Sequence, residues 1–157
     1  MKIQGKKIEG ANREIIPIPR GEGNDIIFIA EAVLDMEPFT AMCPDPLVPK
    51  RNIKGEDIPN FKDKEYLRQV DAHAAKRLAW IVLKSLEATP ELEWEKVDLS
   101  DPSTWILFRE EMKSSGFSDI EINRVVNSVV SVNGLSQEKV DAARERFLHS
   151  QQVPDGE

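Results

Sequence analysis

The chain has 157 residues, 40% of them hydrophobic and 31% charged, with a net charge of -7 and a pI near 5.0. This is enough apolar residue for one packed domain with a small appended lobe, and too much for a disordered chain. The acidic balance argues against tight binding to nucleic acid, which needs clustered Lys and Arg on the protein.

Residues 1–13 hold Lys2, Lys6, Lys7 and Arg13 against Glu9 and read as a basic, flexible N-terminus. Residues 14–43 read as a β-hairpin followed by a short helix. Glu14–Pro19 is an extended segment whose Pro17 and Pro19 restrict it to an edge. Arg20–Asn24 is a turn, and Asp25–Ala30 is a β-branched and aromatic strand that can run on to Val33. Two strands alone are marginal in water, so this hairpin has to pack on helices or dock on a partner. Met36–Met42 allows one or two helical turns, with Pro38 at a first helical position. Residues 44–62, with Pro44, Pro46, Pro49, Gly55 and Pro59, read as a Pro-rich linker.

Residues 63–150 read as a helical domain. From Asp63 to Glu87, Leu67, Val70, Ala74, Leu78 and Ile81 recur at helical spacing, and Leu78 to Leu83 are apolar on every side. Pro90 stops that helix. Glu87, Glu91, Glu93 and Glu95 alternate with Leu92 and Trp94, as in a half-buried strand with its carboxylates in water. Asp101-Pro102 starts a second helix with Trp105, Phe108 and Met112 on one stripe and Gly116 as its left-handed cap. Ser118 and Glu121 form a capping box for a third helix, with Phe117 and Ile122 as a hydrophobic staple. Ile122, Val125, Val126, Val129 and Val130 form its apolar face. Ser136 caps a fourth helix with Val140, Ala143 and Phe147 as its inner stripe. Residues 151–157 read as a frayed tail. The fold class is α+β, mainly α: an N-terminal β-hairpin followed by a four-helix C-terminal domain. No internal repeat is visible at this level.

No catalytic, cofactor or metal constellation emerges. Cys43, the one cysteine, excludes an internal disulfide, fits a reducing cytosol and has no histidine nearby in sequence. His73 and His149 belong to no cluster with metal-ligand spacing. Arg20-Gly-Glu-Gly23 lacks the lysine and strand–loop–helix context of a phosphate-binding loop. Ser118–Phe147 is formally a helix-turn-helix, but its few basic residues are interspersed with Glu138, Asp141 and Glu145, which does not suit DNA. Met1–Gly10 has no signal-peptide apolar run, and no stretch reaches the roughly 18 apolar residues of a membrane span. The residues thus point to a cytoplasmic packing or binding module with no enzyme activity, no cofactor, no nucleic-acid partner and no membrane contact. All three tryptophans, Trp80, Trp94 and Trp105, fall in one junction between the long helix and the second.

Leu78-Ala-Trp-Ile-Val-Leu-Lys-Ser-Leu86, Leu92-Glu-Trp94, Asp101-Pro-Ser-Thr-Trp105, Gly116-Phe-Ser118, Glu121-Ile-Asn-Arg124, Lys139-Val-Asp-Ala-Ala-Arg144 and Phe147-Leu148 are landmarks in this chain. With Ile16-Pro-Ile-Pro-Arg-Gly21, Phe39 and Cys43-Pro44 they resemble the tail assembly chaperone-type proteins of long-tailed bacteriophages. The resemblance covers about residues 14–148. It implies an assembly factor in the cytoplasm of the infected bacterial host. Such a factor keeps the phage tape measure protein soluble and recruits tail-tube subunits. A virion structural or adaptor protein, or a host-takeover binding protein, is the alternative. A homo-oligomer is left open. A chaperone of this kind needs an apolar groove with a charged exterior. Trp105, Phe108 and Met112 on the second helix, and Val125, Val126, Val129 and Val130 on the third, are the residues proposed to line it. The competing reading, favoured for both stripes, is that they form the core.

Overall fold

The computed structural model of the chain describes residues 1–152. Its centre is a 23-residue helix, α2 (Lys64–Leu86), capped by the Asp63 carboxylate, which accepts the Tyr66 amide at 2.8 Å. The first part of α2 is mostly solvent-exposed. From Ala79 to Leu86, every residue except Lys84 is buried. A helix segment apolar on all sides has to be surrounded. Packed around it are a two-stranded sheet, the helix α4 (Asp119–Val132) and a 3-10 helix (Pro102–Leu107).

The sheet is the expected hairpin. Its strands, β3 (Arg13–Ile18) and β4 (Ile26–Glu31), pair antiparallel with Arg13 opposite Glu31 and Ile18 opposite Ile26. The pleat turns Ile16, Ile18, Phe28 and Ala30 inward, where they are buried, and Ile15, Pro17 and Ile27 outward. β4 gains a side-chain neighbour on its outer edge. The Thr89 hydroxyl accepts the Ile29 N–H at 2.8 Å and donates to the Ile29 carbonyl at 3.0 Å, standing where another strand would bind. Asn133 joins three elements. Its amide oxygen accepts the Val33 N–H at 2.8 Å, and its nitrogen donates to Ser85 Oγ at 2.9 Å and to the Val129 carbonyl at 2.8 Å.

The helix α1 (Glu37–Met42) inserts Phe39 between Trp80 and Trp105, with ring centroids 5.8 and 5.9 Å away. Aromatic pairs at this spacing add about 0.5–1.5 kcal/mol each beyond the area they bury. The expected second helix is divided. It opens as the 3-10 helix, with Asp101 accepting the Ser103 amide, and continues as α3 (Phe108–Ser114). The Ser118–Glu121 capping box starts α4 as expected. Leu92 and Trp94 are half-buried while Glu93 and Glu95 face water, so the alternation of a half-buried strand is present without a strand partner. The ladder is replaced by the buried Glu111 carboxylate, which accepts the amides of Glu95 at 2.5 Å and Lys96 at 2.9 Å.

The structure thus has the α+β, mainly α organisation expected, but α5 (Gln137–Gln152) does not join a four-helix core. Val140, Ala143 and Phe147, expected to point inward, are exposed. The physical reason lies in α4. Its apolar face, Ile122, Val125, Val126, Val129 and Val132, is already buried in the core. Its other side is mostly polar, with Asn123, Arg124, Asn127 and Ser131, and leaves only Ile120 and the half-buried Val130 as apolar residues toward α5.

Two segments expected to lack structure form hairpins. In 1–13, β1 (Lys2–Ile3) pairs with β2 (Lys6–Lys7); in the expected linker 44–62, β5 (Lys50–Ile53) pairs with β6 (Glu56–Pro59). Each turns on two left-handed residues, Gln4-Gly5 (φ 50 and 77) and Lys54-Gly55 (φ 54 and 86), as a two-residue hairpin turn of the I′ type requires. Both follow the spacing Ile-x-Gly-x-x-Ile, so the chain does contain a short repeat. Of the expected frayed tail, Gln151 and Gln152 close α5, and 153–157 lie outside the described residues.

Removing Glu111 leaves two backbone amides without their acceptor. Glu111→Ala is expected to lose about 2–3 kcal/mol of stability in urea unfolding. Glu110→Ala, which breaks only the exposed Lys96 pair, should lose less than about 1 kcal/mol; equal losses would contradict the ladder-replacement role. Trp105→Ala, at a fully buried site, is expected to cost about 3–5 kcal/mol and more than Trp94→Ala at its half-buried one, measured the same way.

Candidate partner-binding site

Six of the seven residues proposed to line a groove are core. Trp105, Phe108, Met112, Val125, Val126 and Val129 are all buried in one continuous apolar cluster with the inner face of the sheet and the end of α2. Trp105 also donates its indole N–H to the Leu99 carbonyl at 3.2 Å. A partner cannot reach these side chains without opening the fold, so their assignment to a partner surface is corrected. Val130, one position off the buried face of α4, is half-buried and reachable.

Val130 borders a groove of about 780 Å³ between the polar side of α4 and the start of α5. Ile120, Asn123, Arg124, Asn127 and Lys139 line the rest. Gly134, in a left-handed conformation at φ 70, lets the chain turn out of α4, and the Leu135 amide closes that turn on the Val130 carbonyl at 3.0 Å. Lys139 Nζ donates to Ser131 Oγ across the groove. Ile120 on its rim is 75% exposed. Beyond the groove, α5 carries Val140, Ala143, Phe147 and Leu148 on one side, with Phe147 56% and Leu148 47% exposed. A 16-residue helix whose apolar stripe is exposed is marginal in water, so α5 gains from any surface that covers this stripe. The outward sheet face of Ile15, Pro17 and Ile27 is a second uncovered apolar surface, with Ile15 64% exposed. Sequence periodicity found the α5 stripe but assigned it inward, because spacing alone does not say which surface an apolar face meets.

The remaining candidates are structural. His73 packs its ring edge on Phe39 at 5.3 Å, with Nε2 3.1 Å from the Cys43 carbonyl oxygen, and the Cys43 thiol is half-buried. Among the described residues no group of three His, Cys, Asp or Glu could hold a metal ion, and no helix is long and apolar enough to cross a membrane. The Arg20–Asn24 turn is held by Asp25, whose carboxylate accepts the Arg20 amide at 2.8 Å.

Arg20 has a role that sequence reasoning missed. Its guanidinium donates to both carboxylate oxygens of Glu121, one of them at 2.9 Å, and lies over the Phe117 ring at 5.4 Å. Glu121 also accepts the Ser118 amide at 2.9 Å. One carboxylate thus caps α4 and ties it to the hairpin turn, 101 residues away in sequence. The capping-box pattern identifies Glu121 and Ser118, but nothing local signals Arg20.

Comparison with family models, with curated proteins and with solved structures returns no match.

Hydrogen bonding from Arg20, then from the Ser118 amide, lowers the Glu121 pKa from 4.5 to about 2. A carboxylate depressed in the folded state adds stability above its unfolded pKa, and that stability is lost as pH falls through the folded value. Acid unfolding is therefore expected to draw on this pair between pH 4.5 and about 2. Arg20→Ala should be less stable than wild type at pH 6, and the gap should close as pH falls through that window. A gap independent of pH would show that the pair adds nothing.

Proposed function

We propose that this protein is a tail assembly chaperone of a long-tailed bacteriophage, acting in the cytoplasm of the infected host by binding amphipathic helices of the tape measure protein. The observation that carries this reading is α5, a helix whose Val140, Ala143, Phe147 and Leu148 are exposed and lie outside the core cluster. A tape measure chain presents long amphipathic helices that aggregate when free, and a helix offering an apolar stripe covers them by helix–helix packing. The groove beside it carries Arg124 and Lys139, which suit the charged flank of such a helix. The landmarks at Lys139–Arg144 and Phe147-Leu148 that support the family resemblance lie in the same helix. The role is binding, with no catalytic step. If tail-tube subunits are recruited as well, the outward face of Ile15, Pro17 and Ile27 is free for them.

Co-expression with the tape measure protein of the same phage tests this. The wild-type protein is expected to raise the soluble fraction of the tape measure protein and to co-purify with it. Phe147→Asp/Leu148→Asp should lose both effects while its unfolding midpoint stays unchanged, because neither side chain belongs to the core. A variant as active as wild type would remove α5 from the interface. No effect of the wild type would count against the chaperone reading itself.

A further inference from the structure

We propose that the protein self-associates through its two small hairpins, β2 of one copy pairing antiparallel with β6 of a second copy. The proposal does not depend on the tail-assembly reading. It starts from the repeat: Ile3–Ile8 and Ile53–Ile58 share their spacing and their left-handed turn. The same turn gives the same ladder parity. Ile8 donates its N–H to the Met1 carbonyl at 2.9 Å, and Asn60 to the Pro49 carbonyl at 2.7 Å. Hydrogen-bonded and non-hydrogen-bonded pairs alternate along an antiparallel ladder, so Lys2–Lys7 and Asn52–Asp57 are non-hydrogen-bonded pairs. The N–H and C=O of Lys7, and those of Asp57, therefore point away from their own hairpins, along open edges.

The equivalent positions of the two repeats carry opposite charges. β2 presents Lys6-Lys7, and β6 presents Glu56-Asp57. Antiparallel docking with Lys7 opposite Asp57 lets these two residues exchange both backbone hydrogen bonds. It also sets an ammonium against a carboxylate and places Lys6 diagonal to Glu56 and Ile8 diagonal to Ile58. Pairing β2 with β2 would oppose lysines, and pairing β6 with β6 would oppose carboxylates, so charge selects the mixed pair. Met1, Ile3 and Ile8 share one face of the first hairpin, and Ile53 and Ile58 share one face of the second. In the joined four-stranded sheet these apolar residues fall on one side.

A second copy is the occupant that these edges fit. Residues 1–10 and 50–59 are exposed, with Ile53 and Ile58 partly shielded beside Phe61, and among the described residues neither Lys7 nor Asp57 makes a backbone hydrogen bond to another part of the chain. Each hairpin alone is marginal in water. A two-fold exchange, in which each copy offers β2 to the other's β6, satisfies both hairpins of both chains and closes the assembly as a dimer.

Sedimentation equilibrium on the full chain tests the proposal with a charge-exchange cycle. Lys6→Glu/Lys7→Glu and Glu56→Lys/Asp57→Lys are each expected to weaken the dimer by about tenfold or more, and the fourfold variant should return to within about threefold of wild type. Wild-type dissociation should increase with added salt, as exposed ion pairs require. All four substitutions fall on exposed strands, so an unchanged thermal midpoint of the monomers confirms that folding is intact. A wild type that stays monomeric at about 100 μM, far above a micromolar dissociation constant, overturns the proposal. So does a fourfold variant that associates no better than the two double variants.

Discussion

Burial of the last two turns of α2 on every side is the constraint from which the rest of the fold follows. Trp80, Ile81, Val82, Leu83 and Leu86 point in all directions around the helix axis, and all are buried. At roughly 1.5–3 kcal/mol for each large apolar side chain taken from water, no arrangement that leaves one side of this segment open competes. The inner face of the hairpin, the valine face of α4 and the Trp105 helix are the three covers. The polar details serve the same enclosure. Ser85, the one buried polar residue in the segment, is answered by Asn133, which also holds Val33, while Thr89 and Glu111 stand in for missing strands. The core is therefore closed with its polar groups partnered; among the described residues no buried side-chain polar atom lacks a hydrogen bond.

That closure determines what is left for partners. α5 begins only after α4 has spent its apolar face on the core, so the Val140–Leu148 stripe is left exposed. The small hairpins are in the same position, with isoleucines and open strand edges facing water. These surfaces lie outside the closed core, so the binding role proposed above would not require that core to open. Arg20 and Glu121 fix where α4 starts relative to the hairpin, and α4 in turn sets where α5 leaves.

The sequence revealed most where a residue's role is local. The caps at Asp101 and Ser118 occur where their patterns place them, and the apolar run from Leu78 to Leu83 marks the buried hub, which begins at Ala79. It revealed less where a role depends on a distant partner. The Trp105 and Val125 stripes are legible as apolar faces, but whether such a face meets the core or a partner depends on what the rest of the chain brings to it. The same ambiguity ran the other way for Val140 and Phe147. The Trp94 segment has the alternation of a strand, yet its amides are satisfied by a carboxylate supplied by α3, which no periodicity encodes. The small hairpins were hidden by charge and proline, since Lys-rich and Pro-flanked strands carry almost no hydrophobic alternation, and only the paired Ile-x-Gly-x-x-Ile spacing betrays them.

Hydrogen exchange resolved along the chain tests most directly whether the core closes without α5. In the free protein, amides of Ala79–Leu86 and of the buried face of α4 should open only with global unfolding, while those of 138–150 should exchange orders of magnitude faster. Adding the partner helix should slow 138–150 and leave the core unchanged. Amides of α5 as strongly protected as those of α4 in the free monomer would contradict a core that is complete without that helix.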